Sequence, residues 1–389
     1  MAQTLTEDDL YRTSSQYRLW SFSPESLVAL RQQTHDLALD RANHYSIPPE
    51  ACLTATEELQ LVRRYTTQLL TTADHFKFPP SVKATAVQYL HRFYLSNSVL
   101  TYPPKEIYKT VLWLACKTEA THESLGNYAR RIASTREVVL APEYKVMQAL
   151  RFTLDVRQPY RGLKGVLMEM LNLAEGKVGE VGGVDVEAGA KGLREEMMGL
   201  ELPPHDARTQ WKAPKSDNLG AKHLNDRINA AYASARTVLD GPALLTDAYF
   251  HYTPSQLLLA ALSLADPPLT SFYLRTKLPL TSDLCPKVLA TIASCADLLS
   301  SYSEDQILSK EERAALEEKL ERCRDPGTRD LVGASERAKR GGERTGEEEE
   351  ERARKKKVAR ERNAKEGDDL FGPSIGSLGC AGWFNARWK

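Results

Sequence analysis

The segments of this chain that read as folded are nearly all helical, because their apolar residues recur three and four positions apart. SFSPESLVALRQQTHDLALDRA sets Ser23 before Pro24, the preferred order of cap and first-turn residue. Thr54 with Glu57 makes a capping-box pattern ahead of ELQLVRRYTTQLL, where Leu59, Val62, Leu69 and Leu70 keep a helical period. Pro79-Pro80 punctuates, and Val82, Ala86, Val87, Leu90, Phe93 and Tyr94 of the next segment share one side of a helix. Tyr102-Pro103-Pro104 opens EIYKTVLWLACKTEA, the most apolar of these segments, and SLGNYARRIA and APEYKVMQALRFTL follow. Five helices with short connections therefore fit between 54 and 155, a compact all-α unit of ordinary domain size.

Residues 176–220 break this rhythm. GKVGEVGGVDVEAGAKG is glycine-rich and PPHDARTQWKAPKSDNLG is rich in proline and polar residues. Such composition buries little apolar surface, so the segment reads as a flexible insertion that folding does not require. Helical patterning resumes at AKHLNDRINAAYASARTVL. Thr253, Pro254 and Gln256 form another capped start before LLLAALSLA, and SFYLRTKL and PKVLATIASCADLLSSY follow. Ser309 with Glu312 caps a last amphipathic helix with an apolar line of Ala315, Leu316, Leu320 and Cys323. The predicted map is an N-terminal extension with a flanking helix (1–53), a first helical domain (54–160) and a linker with the insertion (161–220). A second helical domain (221–302), a C-terminal helix (303–325) and a charged, unfolded tail (326–389) complete it. The tail holds a glutamate run followed by RARKKKVARER, which reads either as a nuclear import signal or as a solvated charged segment.

Charge and cysteine usage narrow the function classes. With 52 basic and 52 acidic residues the formal net charge is zero, which argues against a nucleic-acid backbone as the main partner. The 6 cysteines form no C-x-x-C pair, so neither a disulfide framework nor a zinc site is expected. Cys116 and Cys295 sit in apolar helical patterns and read as buried reduced thiols. The start lacks a signal-peptide pattern, and no run of about 18 apolar residues suggests a membrane span. An intracellular, soluble protein is expected.

Catalytic motifs fail on inspection. His122-Glu123 begins H-E-x-x-H, but Gly126 stands where the second ligand belongs. GPSIG at 372–376 matches G-x-S-x-G in letters only, since Pro373 precedes the serine in a glycine-rich tail. The glycines of 176–192 follow no strand and open no helix, so no phosphate cradle is predicted. No catalytic residue, cofactor or metal is expected.

One residue stands out against the buried pattern. In VLWLACKTEA, Lys117 follows an apolar run and shares a helix side with Trp113 and Leu114. A lysine there buries its stem and needs a partner for its ammonium. Glu143 opens EYKVMQAL beside Met147 and Leu150, again a charge next to core. Either the two form an internal salt bridge, or both present their heads to a partner protein.

RFYLSNSV, LACKTEA and EYKVMQALRFTL together resemble the first cyclin box. The resemblance implies that Lys117 and Glu143 bind a cyclin-dependent kinase beside its regulatory helix. SSQYRLWSFS, RFYLSNSV, LTDAYFHYTPSQLLLAALS and LEEKLERC look like the branch of cyclin H and its fungal counterparts, over roughly 14–323. That likeness implies tandem five-helix cyclin boxes, with one at 54–160 and one at 221–302, and a regulatory subunit without catalysis of its own. The implied partners are the catalytic subunit of the CDK-activating kinase, its RING-finger assembly factor and the TFIIH core. The implied process is phosphorylation of the RNA polymerase II tail, in the nucleus.

Three departures matter. Ala120 replaces an acidic residue common in cyclins, Pro142 means the second helix starts or kinks there, and the M-R-A-I-L docking segment is missing from LQLVRRYTTQLL. A transcription factor IIB-like rival would require a zinc ribbon and basic boxes, which are missing. Transcriptional cyclins of the C, K or T type fit the N-terminal and LTDAYFHYTPSQ segments less well.

Overall fold

The computed structural model describes residues 11–177, 190–204, 207–209, 211, 221–278, 282–303 and 307–342. The short helix α1 (Ser15–Trp20) precedes the long α2 (Pro24–His44). The first box holds α3 (Ala55–His75), α4 (Pro80–Ser96), α5 (Pro104–Thr118), α6 (Leu125–Arg131), α7 (Arg136–Leu140) and α8 (Glu143–Ala149). Then come α9 (Tyr160–Ala174), α10 (Ala190–Met198), α11 (Ala221–Asp240), α12 (Pro242–Leu245) and α13 (Ala248–His251). The remainder is α14 (Pro254–Ala265), α15 (Pro267–Lys277), α16 (Cys285–Ser300), α17 (Lys310–Cys323) and α18 (Leu331–Gly342). The all-α expectation holds.

Local signals fix the helix starts. Ser23, Thr54, Thr253 and Ser309 cap α2, α3, α14 and α17, and the last three are full capping boxes with Glu57, Gln256 and Glu312 reaching back. Pro142 settles as a turn residue in helical conformation, so α7 and α8 are separate and α8 begins at Glu143.

In the first box α4 is the central helix, buried from Ala84 through Leu95 and packed on α2, α3, α5 and α8. α14 plays that part in the second box, packed on α9, α11, α15 and α16. Helix α2 binds both boxes: Thr34 Oγ1 donates to Leu95 O of the first at 2.7 Å, and Arg31 makes a bidentate pair with Asp247 of the second at 2.8 and 2.6 Å, while just before α2 the Phe22 amide donates to Phe250 O at 2.8 Å. At the other end α17 returns to the first box through Lys319–Glu57 at 2.8 Å and the bidentate Arg324–Glu106 pair at 2.7 and 2.9 Å.

Two parts of the predicted map change. Residues 161–220 are not merely a linker, because α9 buries Leu163, Val166, Met170 and Leu173 against the second box. Gly162 permits this approach: a Cβ there would lie 2.7 Å from Leu258 Cδ2 on α14. Within the supposed insertion, α10 buries Leu193 and Met197, one helical turn apart. The glycine-rich composition around that pair hid it. Part of 176–220 therefore belongs to the main hydrophobic core. Residues 326–342 also fold further than an unfolded tail from 326 would, forming a 3-10 turn at Pro326–Thr328 and then α18. Ala334 and Ala338, with Glu336 and Arg337, are good helix formers and outweigh Gly333 in this segment. RARKKKVARER, Cys380 and GPSIG lie outside the described residues.

Candidate functional site

Lys117 occupies the last turn of α5 and Glu143 the first position of α8, two helices that pack on each other. α5 presents Val111, Leu112, Ala115 and Cys116 to the core. Its next residue, Lys117, falls at the edge, where the ammonium pairs with Glu143 Oε1 and lies 5.8 Å from the Trp113 ring centroid. The side chains are 41% and 24% exposed, so the pair is a surface feature and not a buried bridge. Bonding to Glu143 uses one of three ammonium protons. A partner's carbonyl or carboxylate can take the others.

Beyond Lys117, α5 closes in a Schellman motif: the Thr121 amide donates to Cys116 O at 2.9 Å and the Ala120 amide to Lys117 O at 3.4 Å. Ala120 supplies the left-handed residue at φ 51°. Glu119 turns inward and accepts from Thr85 Oγ1 at 2.6 Å. It is no part of the outward face.

Two exposed aromatic side chains that the sequence reading missed follow Glu143 along the chain. Tyr144 follows Glu143, and Phe152 lies just past α8, with 64% and 59% of their surfaces exposed and ring centroids 6.4 Å apart. Phe152 is thrown outward because it and Arg151 both take left-handed conformations, at φ 55° and 52°. An exposed aromatic pair beside a charge pair has the composition of a protein-binding centre. The available signal was Tyr144 and Phe152 at positions adjoining a charge and a helix end.

Other candidates resolve structurally. Burial pushes the Cys116 and Cys295 thiols up to about 12, so neither is a nucleophile at neutral pH. Glu123 of the failed H-E-x-x-H pattern accepts from Arg131 at 3.2 Å and from Asn127. Among the described residues no cluster of His, Cys, Asp or Glu has the form of a metal site, and no helix is long and apolar enough to cross a membrane.

A cavity of about 60 Å³ between α2, α3, α4 and 245–247 is lined by Arg31, His35, Glu58, Arg63, His91 and Asp247. Glu58 accepts from His35 at 2.6 Å, Ser98 Oγ at 2.8 Å and the Val99 amide at 2.8 Å, which makes it the anchor between α2 and the first box. Its hydrogen bond raises the His35 pKa. Burial instead lowers that of His91 to about 4, with Asp247 opposing and Arg31 and Arg63 adding to the effect. Thr66 Oγ1 donates its proton to Val62 O at 2.9 Å, which leaves it to accept from His91 Nε2 at 3.2 Å.

Acidification should therefore destabilise the protein through His91. Its folded pKa lies below the ordinary 6.5, so the unfolded chain takes the proton first. The stability is present above that value and falls away as pH drops towards 4. Between pH 7 and pH 5 the loss is about 2 kcal/mol. His35 works in the opposite direction, stabilising at acid pH, so the comparison must be with His91→Gln, which retains a donor for Thr66. Urea melts at the two pH values should show the variant's acid loss smaller by about 2 kcal/mol; equal losses would refute the assignment.

Two tandem helical units, the first with a lysine–glutamate pair on its outer face, define the class. The cyclin N-terminal domain model matches residues 30–155 and the cyclin C-terminal domain model residues 158–300. The chain belongs to the cyclin family. Within it the chain falls in the cyclin H/CCL1 branch. Cyclin CCL1 of Saccharomyces cerevisiae is 32% identical over 292 residues, covering 71% of this chain and 63% of CCL1. This chain likewise spans less than two thirds of the length of further curated relatives, among them cyclin mcs2 of Schizosaccharomyces pombe, of which it covers 54%, and cyclin-H of Xenopus laevis, also 54%. A chain of the CAK complex of Chaetomium thermophilum bound to ATP-gamma-S superposes with a TM-score of 0.69 at 34% identity, over 88% of this chain and 98% of that one. A chain of the yeast TFIIK (Kin28/Ccl1/Tfb3) complex gives 0.53 at 29% identity, over 74% of this chain and 100% of its own. The C-terminal match begins at 158, which places α9 with the second box.

Proposed function

We propose that this cyclin is the regulatory, non-catalytic subunit of a CDK-activating kinase of the TFIIH type. It binds the cyclin-dependent kinase through the face carrying Lys117 and Glu143. The observation that carries the reading is that face itself: a half-exposed charge pair beside two exposed aromatic rings, on a chain similar to cyclins of the CAK and TFIIK complexes. Binding favours the inward position of the kinase's regulatory helix, where its glutamate pairs with the catalytic lysine. The shift can be no larger than the cyclin's differential affinity for the two kinase states. The third subunit is a RING-finger assembly factor, and the trimer joins the TFIIH core in the nucleus to phosphorylate the RNA polymerase II tail. Neither direct nucleic-acid binding nor membrane attachment enters this function. Mixing the purified cyclin with its catalytic subunit and a polymerase-tail peptide tests it. Phosphorylation should rise from a low basal rate only when both are present; an unchanged rate would count decisively against the reading.

The basic residues of RARKKKVARER lie outside both boxes. Replacing them should weaken nuclear accumulation of a fluorescent fusion and leave kinase activation in vitro intact. Normal localisation of the mutant would return the segment to a solvated charge run.

A further inference from the structure

The turn that carries Phe152 is held from a distance by α1. The Trp20 indole N–H donates to Thr153 Oγ1 at 3.0 Å, and that hydroxyl donates to Leu150 O at 2.7 Å, on the last residue of α8's cap. Gln16 clamps the same loop further on: its Oε1 accepts from the Arg157 amide at 2.7 Å and its Nε2 donates to Arg157 O at 3.3 Å. Both α1 side chains are buried, at 3% and 1% exposed. Such contacts tie residues 133 and 141 positions apart. Nothing local to the turn would supply them.

Charge explains why an aromatic ring sits there. Arg92, on the central helix, is 1% exposed, and among the described residues it makes no ion pair with a carboxylate. Its guanidinium lies 5.1 Å from the Trp20 ring, and Arg151 lies 5.4 Å from that ring. Arg92 otherwise bonds Gln16 Oε1 at 3.3 Å and Asp155 O at 3.4 Å. The indole thus offers its electron-rich surface to two cations, one buried and one in the turn. Arg151 and Phe152 hold successive left-handed conformations, which cost free energy in residues with a Cβ and persist only when the surroundings impose them. Trp20 and Gln16 are those surroundings.

We infer that Trp20 is a positioning residue for the kinase-binding face, acting through the Thr153 turn to hold Phe152 out beside Tyr144. This inference rests on the proposed kinase-binding function of that face. α1 then contributes to affinity without touching the kinase itself. Trp20→Phe keeps a ring beside both guanidiniums and removes the N–H donor, while Thr153→Val removes the acceptor with little change of shape.

Full-length chains and the catalytic subunit suffice for the test, with Kd as the readout and thermal melts run alongside. Phe152→Ala should weaken binding about tenfold or more, as for an interface anchor. Trp20→Phe and Thr153→Val should each weaken it about three- to tenfold, with either change adding little once Phe152 is alanine, because all act on one contact. Wild-type affinity in both positioning variants, or full additivity with Phe152→Ala, would overturn the inference and leave the face intact as a kinase site. If Phe152→Ala itself binds normally, the aromatic half of the proposed face falls and the inference with it.

Discussion

Replacing Asp266 with alanine should cost the protein about 3–5 kcal/mol, the loss typical of breaking a buried ion pair from one side. Asp266 is 1% exposed and Arg227 is 5% exposed. They meet through two hydrogen bonds, Arg227 Nε to Oδ2 at 2.7 Å and Nη2 to Oδ1 at 2.9 Å. Alanine would strand a guanidinium in the second box with no carboxylate to neutralise it. It would also remove the α15 cap, since Oδ1 accepts from the Leu269 amide at 3.1 Å. Asp266→Asn keeps an acceptor for the cap and loses the charge, so its cost should be intermediate.

The same arginine extends to the segment before α11. Its Nη2 donates to Glu201 O at 2.7 Å, its Nη1 to Leu200 O at 3.4 Å, and its guanidinium lies 5.6 Å from the Trp211 ring. Hydrogen exchange in the Asp266→Ala variant should therefore accelerate at residues 197–201 as well as in α15. Urea melts provide the energy scale. A loss below about 1 kcal/mol would mean that the pair behaves as a surface bridge.

Legibility in the sequence followed locality. Ser23, Thr54, Thr253 and Ser309 could be read as caps because a cap and its partner lie within one turn, and the structure forms all four. Lys117 and Glu143 were legible as charges at the edges of apolar stripes, but whether they meet depends on how α5 packs on α8. Burial of Leu193 and Met197 was hidden because composition averaged over a glycine-rich window dilutes an isolated pair. Tyr144 and Phe152 escaped for another reason. Periodicity identifies a helix side, not whether that side is covered, and Phe152 points outward only because two left-handed residues follow α8. The α1 contacts were beyond local pattern altogether, since Trp20 and Thr153 stand 133 positions apart in the chain.

Alanine at Lys117 or Glu143 should separate binding from folding. The pair is half in solvent, so removing either partner should change stability by about 1 kcal/mol or less. Kinase affinity should fall by about 2–5 kcal/mol, because a charged group on the partner would be desolvated in the interface and left without its counterpart. The ion pair holds both heads on one face before the kinase arrives, so each single variant also frees the other head to reorient. A double variant should then lose less than the sum of the two. Denaturant melts of the free proteins beside binding titrations decide the matter. A stability loss of about 3–5 kcal/mol with unchanged affinity among folded molecules would make the pair an internal bridge and remove it from the kinase site. Lys117 should show the larger binding loss, because its side chain is the more exposed of the two and its ammonium keeps protons to donate, whereas Glu143 already gives one oxygen to Lys117.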